Sequence, residues 1–171
     1  MVSDKVEMKK GRCMCGDIRY EIGGSIFDMV HCHCESCRRH SSTAFVTFFN
    51  VEKAHFHYTQ AKPVIYVSSP GVERMHCGRC GSPISYENAR ELSIYACTLE
   101  DLSLVVPQAH IVVGEMLPWL KFGDDLPCFE GGLHGKPPIA HGPSNLPQIS
   151  VENIRANSRA TNAARDNFAK A

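Results

Sequence analysis

Three clusters of cysteines constrain this chain more than any other feature of its sequence. They read Cys13-Met14-Cys15, Cys32-His33-Cys34-Glu35-Ser36-Cys37 and Cys77-Gly78-Arg79-Cys80. The 171 residues include nine cysteines, and an odd number leaves at least one thiol unpaired in any disulfide framework. In a reducing compartment such clusters indicate metal binding or catalysis rather than disulfides.

The first and third clusters each contribute two cysteines, and together they predict a closed zinc site. In an extended segment, residues two apart point to the same face, so the first pair can chelate one ion. In the third cluster a glycine follows each cysteine and allows a tight turn around the ion. Four thiolates are a usual ligand set of structural zinc. The predicted ligands are Cys13, Cys15, Cys77 and Cys80.

The middle cluster has three cysteines and no obvious fourth ligand. Zinc with three protein ligands and an open position is typical of catalytic sites, and here the three ligands are Cys32, Cys34 and Cys37. A histidine as fourth ligand would instead close the site, and the candidates are His31, His33 and His40. In an extended segment the side chain of His33 points away from the neighbouring cysteines. The sequence leaves both the open and the closed site as alternatives.

The charge balance argues against a polyanion-binding protein. Lysine and arginine total 18, aspartate and glutamate total 18, and thiolates on zinc would add negative charge. No apolar run approaches the ~20 residues that cross a bilayer, and residues 1–10 lack the apolar segment of a secretory signal. We therefore expect a cytoplasmic protein with neither a nucleic-acid nor a membrane partner.

Short β-branched and aromatic runs between turn residues predict a mainly β domain over residues 11–131, after a lead-in of residues 1–10. A short helix is predicted at Glu35–Ser42, and Cys97 is expected in the core. Cys128 has no evident pairing partner. The other predicted strands lie at residues 54–58, 64–67, 92–97, 104–106 and 111–113.

Residues 132–171 differ from the rest in composition. Glycine, proline and serine are frequent from Gly132 to Pro147, and such a stretch buries little apolar surface. A weak helix is predicted after Ser150, which can act as its N-cap. We interpret residues 132–171 as a C-terminal extension.

The chain resembles the glutathione-dependent formaldehyde-activating enzymes and their relatives related to centromere protein V. The resemblance covers about residues 11–131 and includes seven cysteines in the order and spacing of the family. It is carried by residues 11–16, 31–39, 68–74 and 77–83, and by His110-Ile111, Pro118-Trp119 and Asp125-Leu126-Pro127. It implies a zinc-bearing β-tent fold of antiparallel sheets with few short helices.

The resemblance also implies roles for the cysteines and a chemistry. It assigns Cys13, Cys15, Cys77 and Cys80 to a structural zinc and Cys32, Cys34 and Cys37 to a catalytic zinc. The implied reaction joins glutathione to formaldehyde and makes the protein a carbon–sulfur lyase or synthase. Two other functions stay open: a non-catalytic zinc module that binds a protein partner, and a thiol redox sensor.

Two residues depart from the family pattern. Ser42 stands where the family usually has glycine, and His76 stands where an aromatic residue usually precedes the third cluster. His76 is therefore a further candidate ligand or proton carrier near the structural site. Candidates for binding a glutathione-like substrate are Arg38, Arg39, Arg74 and Trp119.

Overall fold

The computed structural model describes residues 8–136 and 138–139, and these residues confirm the prediction of a mainly β fold. They form eleven strands, one α-helix (α1, Glu35–Ser41) and four short 3-10 turns. The strands are β1 (Lys9–Arg12), β2 (Arg19–Ile22), β3 (Ile26–Cys32), β4 (Val46–Val51), β5 (Phe56–Tyr58), β6 (Val64–Ser69), β7 (Val72–His76), β8 (Pro83–Glu87), β9 (Leu92–Tyr95), β10 (Ala109–Ile111) and β11 (Cys128–Phe129).

Eight strands form one large sheet in the order β11-β10-β3-β4-β9-β8-β7-β6. Neighbours from β3 to β6 are antiparallel. β10, however, runs parallel to both β3 and β11, so the expected all-antiparallel arrangement is wrong at this edge. The long connections before β10 and before β11 give the chain the crossovers that parallel neighbours require.

The remaining strands, β1, β2 and β5, form a small antiparallel sheet that packs on one face of the large sheet. Tyr20 and Ile22 of β2 are fully buried there with Phe49, Ile84 and Ile94. Burial of each such side chain stabilises the fold by roughly 1.5–3 kcal/mol. Cys13 and Cys77 belong to this first apolar cluster.

A second apolar cluster lies on the opposite face of the large sheet, beneath α1. Phe48 of β4 contributes to it, whereas its neighbour Phe49 points into the first cluster, as alternation along a strand requires. Cys32 and Cys37 belong to this second cluster. The two cysteine groups are therefore packed against opposite faces of one sheet.

Four local predictions are wrong. Cys97 is exposed, because the chain leaves the sheet after β9 and turns through Ala96–Thr98. The segment at residues 104–106 is not a strand, since a 3-10 turn occupies Leu102–Leu104. The strand expected at residues 111–113 is β10, which ends two residues earlier because Val112 has a φ of 55°. The strand expected from Ala54 begins only at Phe56.

The predicted extension falls mostly outside the described residues, as does the helix predicted after Ser150. Of its described part, Ile139 donates its backbone N–H to the carbonyl of Cys128 at 2.7 Å. Among the described residues, none of the helices has the length and apolar character needed to cross a bilayer.

Candidate metal sites and the adjoining cavity

The first and third cysteine clusters come together in space. The sulphurs of Cys13, Cys15, Cys77 and Cys80 all lie within 4.8 Å of one another. The Sγ–Sγ distance is 3.5 Å between Cys13 and Cys15, and 3.7 Å between Cys15 and Cys77. Tetrahedral zinc with Zn–S bonds of about 2.3 Å spaces its sulphurs by about 3.8 Å. This four-cysteine group can therefore hold a metal ion of that size.

Two glycines shape the turn that brings Cys77 and Cys80 together. Gly81 has a φ of +75°, a conformation that side chains disfavour, and its N–H donates to the carbonyl of Cys77 at 2.9 Å. A Cβ on Gly78 would lie 3.0 Å from the side chain of Val64. The need for glycine in this turn, inferred from the sequence, thus has two causes: backbone conformation and close approach.

The middle cluster also converges, at the junction of β3 and α1. Cys32 ends β3, Cys34 is the N-cap residue of α1, and Cys37 lies in the first turn of the helix. Their sulphurs lie within 4.8 Å of one another. The backbone N–H of Cys37 donates to the sulphur of Cys34 at 3.3 Å. This three-cysteine group offers three ligands from one short segment.

Hydrogen bonding makes the three thiols unequal. Bonds from the thiols of Cys32 and Cys37, together with the backbone N–H of Cys37, lower the pKa of Cys34 to about 2. The same bonds raise the pKa of Cys32 far above its ordinary value, and burial acts in the same direction. Among the three thiols, the pKa of Cys34 is thus the one that is lowered, and Cys34 is also the least buried of the three.

None of the candidate histidines completes the three-cysteine group in the described residues. The set of mutually close donor atoms contains only the three sulphurs. His31 bonds Thr47 through Nδ1 at 2.9 Å, and His40 packs its ring against Tyr95 at 5.8 Å. His33 turns its ring to the other side of the strand, as the alternation of an extended segment predicts.

His33 is held by hydrogen bonds that run from a buried pair of histidines to an exposed carboxylate. Its Nε2 lies 2.9 Å from Nδ1 of His110, and Nε2 of His110 lies 3.1 Å from a carboxylate oxygen of Asp124. Burial lowers the pKa of His33 to about 4, helped by the nearby His110. Donation from His110 to Asp124 leaves its Nδ1 to accept from His33. These hydrogen bonds hold the ring of His33 on the side of the backbone opposite to Cys32 and Cys34, its neighbours in the sequence.

A cavity of about 990 Å³ adjoins the three-cysteine group. All three cysteines line it, together with polar side chains from β4, β6, β9 and the turn after β8. Of the four residues proposed to bind a glutathione-like substrate, Arg74 is in the cavity wall. Sequence reasoning missed Arg90 and Asn50, which also line it, because only the strand pairing brings them near the cysteines.

The other three candidates have different surroundings. Arg38 donates to the carbonyls of His33 and Glu115 and so ties α1 to the chain beyond β10. Arg39 pairs with Glu35 on the exposed face of the helix at 2.7 Å. Trp119 is largely exposed to solvent. These residues hold the helix or face solvent, and they are not among the residues that line the cavity.

Both departures from the family pattern have clear places in the structure. Ser42 is the C-cap of α1, with φ 54° and ψ 40°. His76 packs its ring on His40, with ring centroids 6.3 Å apart, and it is not one of the mutually close donors at the four-cysteine group. The suggestion that His76 adds a ligand there gains no support.

Fold and site together define a mainly β protein with two cysteine groups, each able to hold a metal ion and one of them opening on a cavity. The sequence model of the glutathione-dependent formaldehyde-activating enzymes matches residues 8–115, which is more than half of the chain. The chain belongs to this family, as the sequence resemblance predicted. Curated proteins give no significant match.

The chain is also similar to a Rhodobacter sphaeroides protein known from a crystal structure. The two sequences are 21% identical, and the alignment covers 53% of this chain and 87% of that one. The TM-score is 0.45.

Proposed function

We propose that this protein is a zinc-dependent carbon–sulfur lyase or synthase acting on the adduct of a small thiol and an aldehyde. The reference substrate is S-hydroxymethylglutathione, formed from glutathione and formaldehyde. One observation carries the proposal: the three-cysteine group lies in the wall of a large cavity without a fourth donor close to all three sulphurs among the described residues. A small molecule can therefore approach it. Membership of the family supports the same reaction class.

The two cysteine groups would hold two zinc ions with different roles. The four-cysteine group would hold a closed structural zinc, and Cys32, Cys34 and Cys37 would hold the catalytic one. Zinc with three protein ligands supplies an open coordination position and lowers the pKa of a thiol or water that reaches it. None of the nine cysteines is in a disulfide, which supports a reducing, cytoplasmic setting.

The reaction needs little rearrangement of atoms. In the synthetic direction the thiol sulphur bonds to the aldehyde carbon, the carbonyl π pair moves to oxygen, and the thiol proton ends on that oxygen. The lyase direction reverses each change. Asn50 and Ser93 offer hydrogen-bonding groups for the amides of a peptide thiol, and Arg90 offers a cation for a carboxylate. The cavity is at the large end for small-molecule sites.

The test combines zinc counting with a rate measurement. Native mass spectrometry of the folded chain, with and without glutathione, should show two zincs and a bound thiol. The Cys34→Ser variant should no longer bind glutathione. Its rate of catalysed exchange between formaldehyde and glutathione, measured by NMR after subtraction of the uncatalysed rate, should be at least tenfold lower than that of the wild type. Cys97→Ser, at an exposed cysteine that belongs to neither group, is the matched control.

Two results would contradict the proposal. One is a wild-type chain that carries a single zinc, binds no glutathione and takes up no second zinc when zinc is added. The other is a Cys34→Ser variant with the exchange rate of the wild type. The first result would favour the thiol redox sensor, because it would leave three closely spaced thiols without a metal.

A further inference from the structure

Arg74 is a buried cation beside the three-cysteine group. It lies on β7, is only 5% exposed, and forms part of the wall of the cavity. Its Nε donates to the hydroxyl of Ser68 at 3.2 Å, and its guanidinium lies 5.1 Å from the ring centroid of Tyr86. These contacts come from β6 and β8, the two strands next to β7, and fix the guanidinium in one position.

Among the described residues, two potentially anionic groups lie beside the guanidinium, the thiol of Cys37 and the phenol of Tyr95; burial raises the pKa of Tyr95 and keeps the phenol neutral. Nη1 lies 3.7 Å from the sulphur of Cys37. Within the described residues no carboxylate is close enough to Arg74 to form an ion pair. A buried charge without a counter-charge is costly. The burial of Arg74 therefore indicates that the cysteines beside it are negatively charged.

The charges balance when the group is taken as a metal site. Three thiolates around a divalent ion carry a net charge of −1, which one guanidinium neutralises. The four-cysteine group would carry −2, but it includes an exposed cysteine, and the nearby Arg79 is itself exposed and paired with Asp17 at 2.9 Å. Solvent screens the negative charge of the four-cysteine group, whereas the buried three-cysteine group needs a protein cation to neutralise its charge.

We infer that Arg74 is a positioning residue: it is the counter-ion of the three-cysteine group and sets how tightly that group holds a divalent metal. The inference rests on the proposed function in so far as it takes these cysteines as metal ligands. It assigns Arg74 a different task from binding a substrate carboxylate. The arriving thiolate would add a further negative charge, so the same guanidinium also favours its binding.

The experiment measures metal retention in the full chain. Zinc-loaded protein is titrated with EDTA while native mass spectrometry counts zinc ions, for the wild type, Arg74→Met, Arg74→Lys and Arg79→Met. We expect Arg74→Met to lose the zinc of the three-cysteine group, called the second zinc, at an EDTA concentration at least tenfold lower than the wild type. Arg74→Lys, which keeps the charge, should recover most of this loss. Arg79→Met should retain both ions as the wild type does.

Retention of the first zinc, the one in the four-cysteine group, reports that a variant is folded. If Arg74→Met fails this check, Arg74→Gln replaces it, because glutamine can keep a hydrogen bond to Ser68 without the charge. A neutral variant with the wild-type EDTA midpoint would overturn the inference and leave the proposed function intact. A wild-type chain that holds one zinc would instead remove the proposed function itself.

A second arm separates the counter-ion from a substrate-binding role. The dissociation constants of glutathione and 2-mercaptoethanol, a thiol without carboxylates, are compared in cobalt-loaded wild type and Arg74→Met by the thiolate-to-cobalt absorption band. A counter-ion role predicts that both thiols bind more weakly in the variant and that the band shifts. Weaker binding of glutathione alone, with unchanged metal retention, would show that Arg74 binds a carboxylate and would overturn the inference.

Discussion

Ser42 occupies a backbone conformation that favours glycine. It ends α1 in the left-handed region, and its N–H donates to the carbonyl of Arg38. Glycine is the usual residue at such helix ends because a Cβ costs about 1–2 kcal/mol there. The glycine that the sequence resemblance leads us to expect here would therefore fit the geometry of the helix that carries Cys37.

Replacing Ser42 by glycine should stabilise the protein. We expect Ser42→Gly to raise the free energy of unfolding by about 1 kcal/mol, reduced somewhat by the greater freedom of glycine in the unfolded chain. Urea denaturation of the zinc-loaded protein measures the change. Ser42→Ala keeps the strained φ and should give no gain, so equal stability of the two variants would show that backbone conformation is not the cause.

At the residue scale, cysteine spacing predicted both groups but not their surroundings. Pairs two or three residues apart can chelate whatever the rest of the fold does, and all seven cysteines lie where the pattern placed them relative to one another. Arg74 is 37 residues from its partner Cys37, and nothing local marks it as buried. Its place depends on the pairing of β6, β7 and β8, which short-range patterns do not specify.

At the scale of elements, the segment after β11 meets a bulge of β3. Asp28 lies in that bulge with a φ of 50°, and its carboxylate is 2.9 Å from Nε2 of His134. Both residues line the cavity. The contact joins a turn near the end of the described chain to the strand that carries Cys32.

This contact should depend on pH. The hydrogen bond to Asp28, with the charge of its carboxylate, raises the pKa of His134. A raised pKa means that the contact is fully present below the ordinary histidine pKa of about 6.5 and is lost as the pH rises through the higher value. NMR titration of the His134 ring should give a pKa above 6.5.

Asp28→Asn is the matched control for this titration, because it removes the charge and keeps the size of the side chain. In that variant the His134 pKa should return toward 6.5. An identical titration curve in the two proteins would show that Asp28 does not hold His134 in solution.

The sequence predicts helices and strands best where a residue next to the element marks its first or last position. The helix expected at Glu35–Ser42 is observed at Glu35–Ser41, because Cys34 caps its start and Ser42 ends it. The parallel strands β10 and β11 were harder to predict, since they contain three and two residues. Their hydrogen-bonding partners lie far away in the sequence, and no periodic pattern fits in so few residues.

At the scale of the whole molecule, the four-cysteine group joins the turn between β1 and β2 to the turn between β7 and β8. The chain between these turns includes four of the eight strands of the large sheet, α1 and the three-cysteine group. A bond across so long a loop restricts the unfolded chain far more than the folded one. We therefore expect this group, rather than the cavity group, to dominate the metal dependence of stability.

The double variant Cys77→Ser/Cys80→Ser tests this expectation, because it removes both ligands on one side of the loop. By the loop-closure relation for cross-links, loss of the closure should lower the free energy of unfolding by about 4 kcal/mol. Chemical denaturation with and without EDTA measures it, and EDTA should then have little further effect. Cys97→Ser is the control and should unfold like the wild type. A double variant of undiminished stability would mean that the group is not a cross-link.

Strand β7 connects the two cysteine groups. β7 carries Arg74, and the chain reaches Cys77 only three residues later, directly after the last residue of the strand. A single inserted or deleted residue between them would misplace the cation, the cysteine, or both. In descendants of this gene, changes in length should accumulate at turns such as Pro70-Gly71 and avoid residues 74–77, so that both sites are inherited or lost as a unit.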